Sequence, residues 1–90
     1  MGKRIAVLIR ERQEEGLRMA VGLTLKDDRV DVYVLDRRLE ASENNELNIE
    51  TLGMLDAELY SNFKGNENMQ FISSEEIAER LLKCDSVLPY

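Results

Sequence analysis

Ninety residues with 18 acidic and 12 basic side chains, a net charge of −6, one cysteine and no histidine describe one small domain (residues 1–90) of narrow chemical repertoire. The acidic balance argues against nucleic acid as a partner, because phosphate binding needs surplus positive charge; Tyr33, Tyr60, Phe63, Phe71 and Tyr90 are also too scattered to form a stacking platform for bases. Without histidine the commonest general base, the Ser-His and Cys-His nucleophile pairs and most zinc and copper sites are excluded.

In chain order, Lys3–Arg10 comes first, an unbroken apolar run (Ile5–Ile9) between charged ends. That pattern predicts a strand buried on both faces, as in a parallel sheet. The run is the longest in the chain and far short of the roughly 20 residues a membrane span requires, so no membrane partner is expected. The Met-Gly-Lys-Arg-Ile start has no long apolar stretch and no small-residue cleavage site, which argues against a secretory signal. Ala6 stands where a myristoylation motif on Gly2 would carry Ser or Thr. The single cysteine, Cys84, cannot close an intrachain disulfide, which fits a reducing, cytoplasmic setting.

Arg12–Lys26 places Leu17, Ala20, Val21 and Thr24 at spacings of three and four, a helical stripe. Met19 and Leu23 lie well away from the middle of that stripe. Either they widen the core face, with Met19 as an ordinary exposed residue, or they form a subunit interface, which a domain burying only about 60–65% of its unfolded surface would benefit from. Asp27-Asp28-Arg29 breaks the helix, and Val30–Leu35 predicts a second, β-branched strand. Strand, helix and strand in about thirty residues make a right-handed βαβ unit.

Asp36–Glu46, charged and rich in Ser and Asn, is expected to be a surface connection. Leu47, Thr51, Leu52 and Leu55 then form a short helical face entered at Asn48. Ala57–Ser61 predicts a third strand, Asn62–Asn68 a loop, and Met69–Ile72 a short fourth strand. The last helix has the clearest local signature: Ser73 as N-cap, Glu76 completing a capping box, and Ile72 with Ile77 as a hydrophobic staple. Ile77, Ala78, Leu81 and Leu82 are expected to supply its buried face, and Glu76–Arg80 and Glu79–Lys83 are spaced as i,i+4 ion pairs. Ser86–Leu88 would close the sheet. The order β-α-β-α-β-β-α-β predicts an α/β fold, a three-layer α/β/α domain around a mainly parallel five-stranded sheet.

The opening strings, Lys-Arg-Ile-Ala-Val-Leu-Ile, Glu-Glu-Gly-Leu-Arg-Met-Ala-Val-Gly-Leu-Thr-Leu and Val-Asp-Val-Tyr-Val-Leu-Asp, and the ending Ile-Ser-Ser-Glu-Glu-Ile-Ala-Glu-Arg-Leu-Leu-Lys-Cys-Asp-Ser-Val-Leu resemble the DsrE/DsrF sulfur-relay family. The resemblance spans nearly the whole chain as a loose pattern of apolar positions. It implies homo-oligomers, or hetero-oligomers with other DsrE-like chains, and a role around intracellular sulfur transfer. Sulfur-carrying members hold a persulfide on a cysteine just after the third strand. The matching stretch here is Leu59-Tyr60-Ser61-Asn62-Phe63, so Ser61 or Asn62 stands where that thiol would be. A serine hydroxyl cannot form a persulfide, which leaves a non-catalytic, partner-binding subunit as the first expectation.

Two alternatives stay open. Cys84 could carry sulfur itself, although a helix C-terminus and the adjacent Asp85 both work against a thiolate; otherwise it is an inert, partly buried residue. In open parallel sheets ligands bind beyond the carboxyl ends of the strands. Those ends offer Arg10 and Arg12, Arg37 and Arg38, and Ser61 and Asn62, either as one anion site or as ordinary charged flanks. No cofactor is expected: Gly16 and Gly22 fall within the helix, and the chain has neither GxGxxG nor a P-loop. The acidic pairs Glu14-Glu15, Asp27-Asp28 and Glu75-Glu76 point to different sides of their elements and read as solvated surface, not as metal ligands.

Overall fold

The computed structural model describes residues 3–26 and 28–90. Gly2 and Asp27, which entered the myristoylation and helix-breaking readings above, lie outside the described residues. The elements are β1 (Arg4–Ile9), α1 (Gln13–Leu25), β2 (Arg29–Val34), α2 (Glu43–Met54), β3 (Glu58–Ser61), β4 (Gln70–Phe71), α3 (Ser74–Leu81) and β5 (Ser86–Pro89). All five strands are parallel, in the order β4-β3-β2-β1-β5. β1 and β2 occupy the middle in register from Arg4 opposite Arg29 to Ile9 opposite Val34. Their near-continuous burial explains why both read as unbroken apolar runs.

Alternation along the strands divides the core into two layers. Ile5, Val7, Ile9, Val30, Val32 and Val34 pack against Leu17 and Ala20 of α1 and Ile49 and Leu52 of α2. On the opposite face Ala6, Leu8, Tyr33, Leu35 and Tyr60 pack with Ile72 and with Ile77 of α3. The three-layer α/β/α architecture expected from the element order is therefore present, and the sheet is entirely parallel.

α2 begins several residues earlier than its apolar positions suggested. Ser42, not Asn48, is the N-cap, its Oγ accepting from Asn45 N at 3.1 Å. Asn45 is buried and donates through Nδ2 to Glu40 O at 3.0 Å. A polar side chain thus occupies a core-facing turn, and an apolar count misses it. The helix ends with Asp56 at φ 62°. Ala57 N donates to Leu52 O at 3.0 Å and Asp56 N to Gly53 O at 3.3 Å, a Schellman closure with Asp in place of the usual glycine.

α3 is capped by Ser73, whose Oγ accepts from Glu76 N at 3.1 Å. Ile72 and Ile77 are buried in one cluster, as a staple requires, and Leu81 packs partly against it. Ala78 and Leu82 of the expected buried face are exposed, because the short helix turns only one narrow side to the sheet. The expected Glu76–Arg80 and Glu79–Lys83 pairs are not among the salt bridges of the described residues. Arg80 turns inward instead, donating to Tyr60 Oη at 3.0 Å with its guanidinium 4.6 Å from the Tyr60 ring centre. A cation over an aromatic face beside a hydroxyl acceptor outcompetes an exposed helical pair worth only a few tenths of a kcal/mol.

Candidate functional site

At the carboxyl ends of the strands, side-chain amides hold the connections in place. Ser61, the last residue of β3, is 1% exposed. Its hydroxyl donates to Val34 O at 2.8 Å and accepts from Phe63 N at 3.0 Å and Asn66 Nδ2 at 2.9 Å. One proton donated and two accepted saturate a hydroxyl. Asn62 bridges three elements: Oδ1 accepts from Asp36 N at 2.7 Å, and Nδ2 donates to Asp36 Oδ1 and to Ser74 Oγ, each at 3.0 Å. Asp36 needs that support because it sits at φ 67°, a left-handed conformation that Asp tolerates better than most residues.

The segment after β2 is pinned twice more. Asn66 Oδ1 accepts from Leu39 N at 2.8 Å while its Nδ2 reaches Arg37 O at 3.1 Å. Gln13, at the start of α1, accepts from Glu40 N at 2.9 Å and donates to Arg38 O at 3.2 Å. Gln13 and Asn66 were absent from the sequence-derived candidates. Only a polar residue on the core side of a helix start (Gln13) and an Asn in a Gly-Asn turn hinted at them.

Three of the four arginines lie beside carboxylates. Arg10 Nε lies 3.4 Å from Asp36 Oδ2, Arg12 pairs with Glu15 at 3.4 Å and covers the Tyr90 ring at 5.2 Å, and Arg37 faces Glu11 at 3.9 Å. Each of the three has its own acidic neighbour, so ordinary charged flanks describe them better than one anion site. Arg10, Asp36, Asn62 and Ser74 do share the rim of a hollow of about 200 Å³ over Leu8, Leu35 and Ile77. Arg38 goes elsewhere, beside Gly65, where an added Cβ would come within 2.7 Å of its Nη2.

A scan of protein-family models and searches of curated proteins and of solved structures find no match to this chain. What the chain can do therefore rests on its own geometry.

Cys84 lies half-buried behind α3, its Sγ 3.6 Å from Arg80 O. Burial pushes its thiol up from the ordinary value and the Asp31 carboxylate pushes in the same direction, with Arg4 opposing. Such a thiol stays protonated near neutral pH, the wrong state for a nucleophile. Asp31 itself is 1% exposed, held by Arg4 Nε at 3.1 Å and more distantly by Arg29 at 3.8 Å. It was legible in the sequence only as the polar interruption in Val-Asp-Val-Tyr-Val. Among the described residues no group of three or more Cys, Asp or Glu is arranged to hold a metal.

A larger cleft, of about 720 Å³, lies on the α2 face of the sheet edge, between α2, the 38–41 segment and the 65–69 segment. Leu39, Ile49, Leu59 and Met69 form its apolar floor. None of them was a candidate from sequence, where Leu39 fell in the expected surface connection and Leu59 and Met69 in expected strands.

Of the expected interface pair, Met19 is 43% exposed on the outside of α1. Leu23 is only partly buried and packs against the α1/α2 core layer, so it belongs to the wide core face.

Proposed function

We propose that this chain is a non-catalytic, partner-binding domain of the DsrE/DsrF kind, working in oligomers, with itself or with other DsrE-like chains, around sulfur transfer in the cytoplasm. The observation that carries this reading is the closed hydrogen-bond set around Ser61. Of the two residues that match the thiol position of sulfur-carrying members, Ser61 has a hydroxyl with its hydrogen bonds filled and almost no exposure, and Asn62 has an amide committed to Asp36 and Ser74. The only thiol, on Cys84, is half-buried and biased toward its protonated form. The parallel α/β/α architecture fits the family layout, and Met19 offers one apolar contact for a neighbouring subunit.

Intact-mass analysis after incubation with a persulfide donor should show the unmodified chain. Native mass spectrometry at micromolar concentration should show an assembly, formed alone or with a cysteine-bearing DsrE-like chain. A sulfur increment on Cys84 would turn the reading toward a carrier, and a strictly monomeric chain that ignores such partners would remove it.

A further inference from the structure

Parallel neighbours are normally joined by a crossover helix that covers the strands it connects. Two of the connections here follow that rule, with α1 between β1 and β2 and α2 between β2 and β3. The step from β3 to β4 does not: the residues between Ser61 and Gln70 form turns and no helix. The 720 Å³ cleft lies beside α2, where such a helix would be placed, and its apolar floor joins Leu59 of β3 to Ile49 of α2, Leu39 of the segment after β2 and Met69 just before β4.

The rim of the cleft has a definite charge. Glu40, Glu46, Glu50 and Glu67 line it against the single cation Arg38, and none of the four carboxylates takes part in a salt bridge among the described residues. Glu46, Glu50 and Gly53 are spaced i, i+4 and i+7, so they share the side of α2 that faces the opening. A Cβ added at Gly53 would meet nothing within 4 Å. A glycine at that point lets another helix approach closely, within the 8–10 Å separation of packed helices.

We propose that this cleft binds a basic amphipathic helix from a partner protein, whose apolar stripe covers the floor while its Lys and Arg flanks meet the four glutamates. The missing layer sets the shape of the occupant and the unpaired carboxylates set its charge, the helix-in-groove mode of recognition. This names the partner class for the binding role proposed above and rests on that reading.

The test uses the full chain and a fluorescent Leu/Lys amphipathic peptide of about 15 residues, long enough to hold a helix when bound, with a Leu/Glu peptide of the same pattern as control. Saturable binding of the basic peptide alone is expected, weakening as salt is raised. Gly53→Phe, which fills the cleft from an open position, and Glu46→Lys with Glu50→Lys should each weaken it by about tenfold or more. Glu58→Lys with Glu79→Lys changes the net charge equally on the opposite face and should leave affinity within about twofold. Circular dichroism melts establish that every variant is folded.

No saturable binding overturns the proposal, as does equal loss in the two charge-reversed pairs, which would mean unspecific attraction to an acidic protein. Gly53→Phe breaking self-association without affecting the peptide would assign the cleft to a second copy and overturn it too. Failure of the peptide leaves the absence of sulfur carriage standing, because that is read separately by intact mass.

Discussion

The two faces of the sheet solve the same burial problem with different materials. On the α1/α2 face the strands present only aliphatic side chains to Leu17, Ala20, Ile49 and Leu52. On the α3 face one eight-residue helix covers the strands, and the packing includes stacked Tyr33 and Tyr60, with ring centres 5.3 Å apart, an Asp31–Arg4 ion pair and a half-buried thiol. Burial on the first face depends on shape and on uncharged hydrogen bonds such as those of Gln13 and Asn45. On the second it depends on charge and protonation as well, so the two should fail differently.

The largest expected effect is on the aliphatic face. Leu52 is fully buried between α2 and the sheet, and Leu52→Ala removes both its transfer energy and the packing around the resulting cavity. A loss of about 3–4 kcal/mol is expected, read from urea unfolding midpoints and independent of pH between 6 and 9. A cost below about 1 kcal/mol would mean that α2 is less tightly seated than its contacts indicate.

Next comes Ser61→Ala at the carboxyl edge. It strands Phe63 N and Asn66 Nδ2 without their acceptor, at about 2 kcal/mol. Ser61→Cys adds a sharper measurement. Its thiol should resist alkylation in the folded protein, whereas that of Asn62→Cys, at a partly exposed position, should react. The reverse order would show that the 62–66 turn does not enclose the residue ending β3.

On the α3 face Arg4→Met leaves the Asp31 carboxylate buried with only Arg29 at 3.8 Å. A cost of about 1–2 kcal/mol is expected, held below that of a fully buried pair because Arg4 is about a quarter exposed. The double variant Arg4→Met with Asp31→Leu should recover most of that loss, since an apolar pair replaces a buried ionic one at little net cost. Failure to recover would indicate that Asp31 serves more than charge balance.

How much of this was legible in the sequence differs between the faces for the same reason. Apolar runs and i, i+3, i+4 spacing encode the aliphatic layer directly, so β1, β2, α1 and the parallel sheet could be read from them. The Ser73 cap with the Ile72–Ile77 staple was legible because it is local. The start of α2 was not, because Ser42 and Asn45 act through hydrogen bonds to Asn45 N and Glu40 O, which leave no periodic mark. At the edge, sequence placed Arg10, Arg12, Arg37 and Arg38 near strand ends but not their separate acidic partners, because long side chains choose among neighbours brought together only by folding. The loop in place of a helix between β3 and β4 was legible, but the cleft was not, because its lining comes from the 38–41 segment, α2 and the 65–69 segment, which only folding brings together.

The smallest and most selective contrast is alkaline. Burial first, and the Asp31 charge second, push the Tyr33 hydroxyl from 10.0 up to about 12, and the same two causes raise the Cys84 thiol from 9.0. For an acid whose folded pKa lies above its unfolded one, the unfolded chain loses its proton first as pH rises. Stability is therefore complete below the unfolded value and declines above it. Urea midpoints should begin to fall once the pH passes the ordinary thiol value, and should fall further between 10 and about 12 as unfolded Tyr33 ionises. Tyr33→Phe should flatten the upper part of that decline, and it also removes a buried hydroxyl that lacks a hydrogen-bond partner, so the variant should be no less stable at neutral pH. Leu52→Ala, on the other face, should lower the whole curve without changing its slope. If Tyr33→Phe leaves the slope between pH 10 and 12 unaltered, the alkaline sensitivity does not originate on the α3 face.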